Sequence, residues 1–106
     1  MGKYEIKGQG IAGTLESSDI QILIDQNQGA GIEISLKSNV EKQFGRQIRA
    51  TIEKTLNQLG VADARLTVVD QGALDCTIVA RTIAAVHRAA GITEKYDWEE
   101  IDSWNV

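Results

Sequence analysis

Few side chains in this sequence have the type and spacing to do chemistry. There is one cysteine, Cys76, and one histidine, His87. A single thiol excludes an internal disulfide framework and a multi-thiolate zinc site. With a single imidazole as well, a metal site would need carboxylates at metal-ligand spacing, and none are so placed. His87 is of the right type for a general base, but it stands beside Arg88 near the end of a helix-patterned stretch. A cation there has a structural explanation through the helix dipole. Cys76 reads as a small buried hydrophobe. No serine lies in a nucleophile-elbow pattern, so the chain is not expected to be an enzyme by itself.

Gly8-Gln9-Gly10-Ile11-Ala12-Gly13 satisfies the dinucleotide pattern G-x-G-x-x-G, and Glu33 lies about 20 residues beyond it. That motif holds a pyrophosphate only when its last glycine opens a helix whose amides face the ligand. Here an alternating, strand-like pattern follows, so the glycines read as a lead-in to a first strand.

The elements that must position these residues follow from hydrophobic periodicity. Residues 11–16 read as a short strand; Ile20, Ile22 and Ile24, then Ile32, Ile34 and Leu36, alternate with other residues at a period of two. Ser17-Ser18-Asp19 forms a tight connection, and Gln26 to Gly31 a looser one. From Val40 the period changes: Val40, Phe44, Ile48, Ile52, Leu56 and Leu59 mark an amphipathic helix. Ser38 and Glu41 fit a capping box, and Gly60 fits a left-handed helix end. Gly45 inside the helix costs about 1 kcal/mol against Ala, which suggests a kink or a close contact. Ala64, Leu66 and Val68 alternate as a fourth strand, and Asp70-Gln71-Gly72 is a turn. Leu74, Ile78, Ile83, Val86 and Ala90 recur at helical spacing, although Leu74, Cys76 and Ile78 also alternate, leaving residues 73–79 open between helix and strand. Phe44, Ile48 and Leu74 are read as core. The order β-β-β-α-β-α predicts an α+β fold: a single-layer antiparallel sheet of about four strands, covered on one face by two helices.

The 106 residues carry 42% apolar and 25% charged side chains, the balance of an ordinary globular protein. No stretch approaches the roughly 20 apolar residues of a membrane span, and no secretory signal opens the chain. It is expected to remain in the compartment where it is made, with no membrane partner. Residues 1–92 are neutral overall, and the last 14 residues, with five acidic side chains against Lys95, account for the whole net charge of −4. No basic face results, so no nucleic-acid partner is expected. One domain over residues 1–92 and an acidic, aromatic tail over 93–106 are predicted. The tail either docks its rings on a partner or folds them back onto the domain.

Three strings carry a resemblance. Ala12-Gly13-Thr14-Leu15-Glu16-Ser17-Ser18-Asp19 resembles the prosthetic-group attachment segment of the citrate lyase acyl carrier (gamma) subunit family. Val40-Glu41-Lys42-Gln43-Phe44-Gly45 is similar to the family's central helix, and Gly72-Ala73-Leu74-Asp75-Cys76 with Ala80-Arg81 to its third signature. The blocks stand in the family's order and cover about residues 10–92. The resemblance implies a covalently attached phosphoribosyl-dephospho-CoA arm, joined through a phosphodiester to the serine after Leu-Glu. That serine is Ser17 here, with Ser18 as its neighbour and competitor.

It implies further that the arm carries acetyl and citryl thioesters between an acyl transferase (alpha) and a citryl lyase (beta) subunit, for cleavage of citrate to oxaloacetate and acetate. Attaching and acetylating enzymes and a bacterial cytoplasm complete the implied setting. Arg81 and Arg46 are candidates for docking a partner or the arm's phosphates. Glu16 and Asp19 are either read by the attaching enzyme or keep the turn solvated. Two other readings stand beside this one: a carrier of a malonate-decarboxylase-like system, and an unmodified interaction module that docks through its tail.

Overall fold

A computed structural model describes residues 4–91. The elements run β1 (Gly10–Ala12), β2 (Ile20–Asp25), β3 (Ile32–Ser38), α1 (Glu41–Leu59), β4 (Ala64–Asp70) and α2 (Asp75–Ala89). The predicted α+β class and element order are both found. The strictly antiparallel sheet is not. The strand order is β1-β2-β4-β3, and β3 pairs with β4 in parallel while β1–β2 and β2–β4 are antiparallel. The 19-residue helix between β3 and β4 is the reason, because it returns the chain to the end of the sheet where β3 began. β4 therefore inserts between β2 and β3, and these two strands never form a hairpin.

Both helices cover one face. Ile20, Ile22 and Ile24 of β2 and Leu66 and Val68 of β4 point into that face, opposite register partners such as Ile22 and Val68. Ile48, Ile52, Leu56 and Leu59 of α1 and Ile78, Ile83 and Val86 of α2 close the core over them. The intervening residues Arg65 and Thr67 of β4 and Glu33 and Lys37 of β3 remain exposed on the other face. Period-two burial in the strands and period-3.6 burial in the helices thus meet in one layer of side chains.

The termini of the elements depart from the sequence reading in two places. β1 stops at Ala12 because Gly13 turns left-handed, with φ 89°, and a Cβ there would collide with the Ile20 carbonyl. The Ser38–Glu41 capping box does not form. Ser38 ends β3 and its hydroxyl donates to Asp70 Oδ2 at 2.8 Å, so the helix starts at Glu41 with no side-chain cap. Gly60 does adopt φ 76°, with Gly60 N–H donating to Asn57 and Val61 N–H to Leu56, the paired bonds of a Schellman end. Residues 73–79, left open between helix and strand, divide into a short loop over 73–74 and the opening of α2 from Asp75.

His87 is fully buried, with its ring 4.9 Å from that of Tyr4. Burial lowers its pKa from the ordinary value, so it is neutral and not the helix-end cation read from sequence. Cys76, read as buried, is exposed on the first turn of α2. Among the described residues no helix is long and apolar enough to cross a membrane. The tail over 93–106 lies outside the described residues.

The glycine pattern of residues 8–13 has a packing explanation. The Lys7 and Gly8 amides donate to the Ala89 carbonyl at the end of α2. A Cβ on Gly10 would lie 2.5 Å from the Ala85 carbonyl oxygen and 2.5 Å from the Ala89 nitrogen, both backbone atoms of α2. Close seating of α2 on β1 therefore requires a glycine. Gly10→Ala should destabilise the fold by about 1–3 kcal/mol, as overpacking does. Urea denaturation checks this, and an unshifted midpoint would mean that the helix can lift off β1 without cost.

Candidate attachment site at the turn before β2

Ser17 and Ser18 occupy the corners of a turn whose ends are closed by the Asp19 N–H donating to the Glu16 carbonyl at 3.1 Å. Both serines are exposed, and neither hydroxyl bonds to another described residue. Ser18 has φ 65°, the left-handed region that costs a non-glycine residue roughly 1 kcal/mol or more. External bonds hold this conformation in place. The Ser18 N–H donates to the Gln71 carbonyl at 2.8 Å, and the Gln71 N–H donates to the Asp19 carbonyl at 2.9 Å. The loop after β4 thus grips the turn on both sides of its strained residue.

Asp19 is the hub of the arrangement. Its Oδ1 accepts from the Ile20 N–H at 2.7 Å and from Arg81 Nε at 3.0 Å. Its Oδ2 accepts from the Thr14 N–H at 3.1 Å, the Thr14 hydroxyl at 2.6 Å and Arg81 Nη2 at 3.0 Å. The Thr14 hydroxyl in turn accepts from the Glu16 N–H at 3.2 Å. The bidentate Arg81 contact and the Thr14 hydroxyl hold the Asp19 carboxyl far below the usual carboxylate range. Its side chain is only 13% exposed. Asp19 is therefore a structural anion, and not a residue that merely keeps the turn solvated.

The structure brings Ser17, Ser18, Asp19 and Arg81 together at one end of the sheet. Glu16 stays exposed beside them, and Arg46 is exposed on α1 without joining these bonds. Arg81 has Nε and Nη2 committed to Asp19. Phe44 and Leu74, read as core, are 47% and 70% exposed, whereas Ile48 is buried as expected. Sequence reasoning missed Thr14 and Gln71. A Thr followed five residues later by Asp hints at a local loop closure, but no signal in the sequence announces Gln71, which acts through its backbone. Among the described residues no group of three or more His, Cys, Asp or Glu could hold a metal ion.

Comparison with known proteins adds independent findings. Residues 7–89 match the family described as malonate decarboxylase delta subunit (MdcD), an acyl carrier family. The chain is 64% identical over 101 residues to the citrate lyase acyl carrier protein of Streptococcus equi subsp. zooepidemicus, covering 95% of this chain and 98% of the relative. It is 59% identical to that of Streptococcus mutans, with the same coverage. In structure it resembles a chain of a Pseudomonas malonate decarboxylase hetero-tetramer in complex with malonate. The TM-score is 0.70 at 15% identity, covering 79% of this chain and 86% of the other, a likeness of fold.

The depressed Asp19 carboxyl makes a pH prediction with a definite sign. The unfolded chain takes up a proton near the ordinary value of 3.8, and the folded chain resists it. The interaction therefore stabilises the fold fully above that value and is lost as the pH falls below it. Asp19→Asn should cost about 1–3 kcal/mol at neutral pH. The gap from wild type should close as the pH falls below about 4. Urea midpoints measured across that range decide the matter, since a gap that persists undiminished in acid would assign the loss to something other than the carboxylate.

Proposed function

The chain belongs to the family of citrate lyase acyl carrier proteins, and from that premise we propose that Ser17 is the attachment point of a phosphoribosyl-dephospho-CoA arm. When attached, the arm supplies the thiol on which acetyl and citryl groups ride as thioesters. The observation that carries the reading is the Ser17 hydroxyl, exposed and without a partner among the described residues, on a turn whose backbone is held by Asp19, Arg81, Thr14 and Gln71. An attaching enzyme needs an accessible oxygen, and a fixed backbone presents it in one orientation at low entropic cost. Ser18 is exposed as well, but its own backbone is the strained, clamped corner.

This chain's part is to bind and present. His87 is fully buried in α2, so its ring has no access to a group held at the exposed Ser17. Acyl transfer and citryl cleavage then belong to the alpha and beta partner subunits, and the tether raises the local concentration of the acyl group at each, to the order of millimolar. A carrier of this kind works in a multi-subunit complex in the cytoplasm. Identities of 59–64% favour citrate over malonate as the substrate of that complex, because the malonate decarboxylase chain shares little more than the fold.

Intact mass of the full chain, coexpressed with the attaching enzymes of a citrate-fermenting host, is the test. A gain equal to phosphoribosyl-dephospho-CoA should map to Ser17, vanish in Ser17→Ala and persist in Ser18→Ala. A gain that persists in Ser17→Ala moves the site. No gain in cells that ferment citrate leaves the unmodified interaction module.

A further inference from the structure

An apolar groove of about 440 Å³ opens at the end of β4, between the first turns of α1 and α2. Phe44 and Ile48 of α1, Ile78 of α2 and Leu74 of the intervening loop line it, with Gln47 and Asp75 at its edge. Leu74 and Phe44 are among the exposed large apolar side chains of the protein, and a third, Leu15 at 57% exposure, stands two residues from Ser17. Large apolar groups held in water on an ordered surface mark a place where something else covers them.

The groove's position identifies its occupant. Its rim is the loop Gly72–Leu74, and the preceding residue, Gln71, is the one that grips the Ser17–Ser18 turn. With successive Cα atoms 3.8 Å apart and Gln71 bonded to Ser18, the rim of the groove lies within roughly 13 Å of Ser17. The loop itself is built rigid. Asp70, buried to 1% exposure, accepts from Ser38, from the Gly72 N–H at 3.1 Å and from the Ala73 N–H at 3.0 Å, so the rim does not depend on an occupant to form.

Charge narrows the choice further. Asp70 and Asp75 flank the groove, and Gln47 Nε2 is the donor that meets Asp75, at 3.0 and 3.2 Å. Phosphates are repelled by such a setting, whereas a neutral chain of methyl, methylene and amide groups is not. A larger cavity of about 540 Å³, lined by Asn27, Asp63 and Tyr4, lies past the far end of β2, some 20 Å away by strand length.

We propose that this groove is the seat of the pantetheine-thioester end of the arm when the carrier is away from its partner subunits. The proposal rests on attachment at Ser17 and goes beyond it. Phe44, Leu74 and Ile78 cover the arm's methyl groups, Gln47 Oε1 is left to accept from an amide N–H, and the thioester is withdrawn from water. Leu74 is exposed, so Leu74→Asp removes the cover without touching the core.

The test uses the full chain, first shown by intact mass to carry the arm on Ser17 and then acetylated. Nuclear Overhauser cross-peaks are expected between the arm's geminal and acetyl methyls and the methyls of Leu74, Ile48 and Ile78. Leu74→Asp should lose them and hydrolyse its thioester severalfold faster. A loaded protein in which only residues 14–19 shift relative to the unloaded chain would overturn the groove and leave the carrier reading intact. Cross-peaks from the Trp98 or Trp104 indole into the groove of the loaded protein would assign it to the tail, which also overturns the proposal. A chain that the attaching enzymes never load overturns both readings together, and the mass spectrum alone reports that case.

Discussion

The exposed turn that presents Ser17 is held from a distance. Asp19 and Arg81 are 62 residues apart, on a loop and on the second helix, and their bidentate contact fixes the end of the β1–β2 connection against α2. Surface ion pairs contribute little because water screens them and long side chains lose entropy. This one is better placed: the carboxylate is mostly covered, the guanidinium meets it through two parallel bonds, and Thr14 supplies two more donors to the same oxygen. A charge so thoroughly bonded confers geometric definition as well as energy. Loops that present functional groups are usually mobile. This one gains rigidity from the element behind it, so the two serine hydroxyls stand free on a backbone that is held in place.

The sheet order makes that contact possible. Because α1 carries the chain back before β4 begins, β4 enters the middle of the sheet and ends beside the start of β2, with Asp70 opposite Ile20. The loop that follows β4 therefore arrives at the turn before β2, and α2 starts from that same place. One topological step brings together the Ser17–Ser18 turn, the Gln71 clamp, the rim of the apolar groove and the first turn of α2. The opposite end of α2 is tied down separately, by the amides of Lys7 and Gly8 on the Ala89 carbonyl and by Arg88 Nη1 donating to the Ile11 carbonyl at 2.6 Å. The helix is thus fixed at both ends, and Arg81, near its middle, is positioned with it.

Phe44 and Leu74 show how periodicity can name a face without saying what covers it. Phe44 lies on the apolar stripe of α1, yet residues 41–44 overhang the edge of the sheet and are all exposed. Leu74 precedes its helix, so it never enters the repeat that buries Ile78, Ile83 and Val86. In both cases the side chain has the right type for a core but stands where the domain has no second layer to meet it. The same geometry accounts for Cys76, which the first turn of α2 carries outward.

Much of this was legible in the residues alone. The element types and their order, the left-handed end at Gly60, the buried isoleucines of β2 and the burial of Ile48 follow from local periodicity and turn chemistry, and these depend on neighbours a few positions away. The three strings that mark the family are likewise local. What only the tertiary structure decided are the relations between distant residues: the parallel pairing of β3 with β4, the use of Ser38 by Asp70 in place of a helix cap, the neutral burial of His87 against Tyr4, and the grip of Arg81 and Gln71 on the Ser17 turn. Each depends on which strand lies beside which. That choice is set by packing over the whole layer, and no window of sequence contains it.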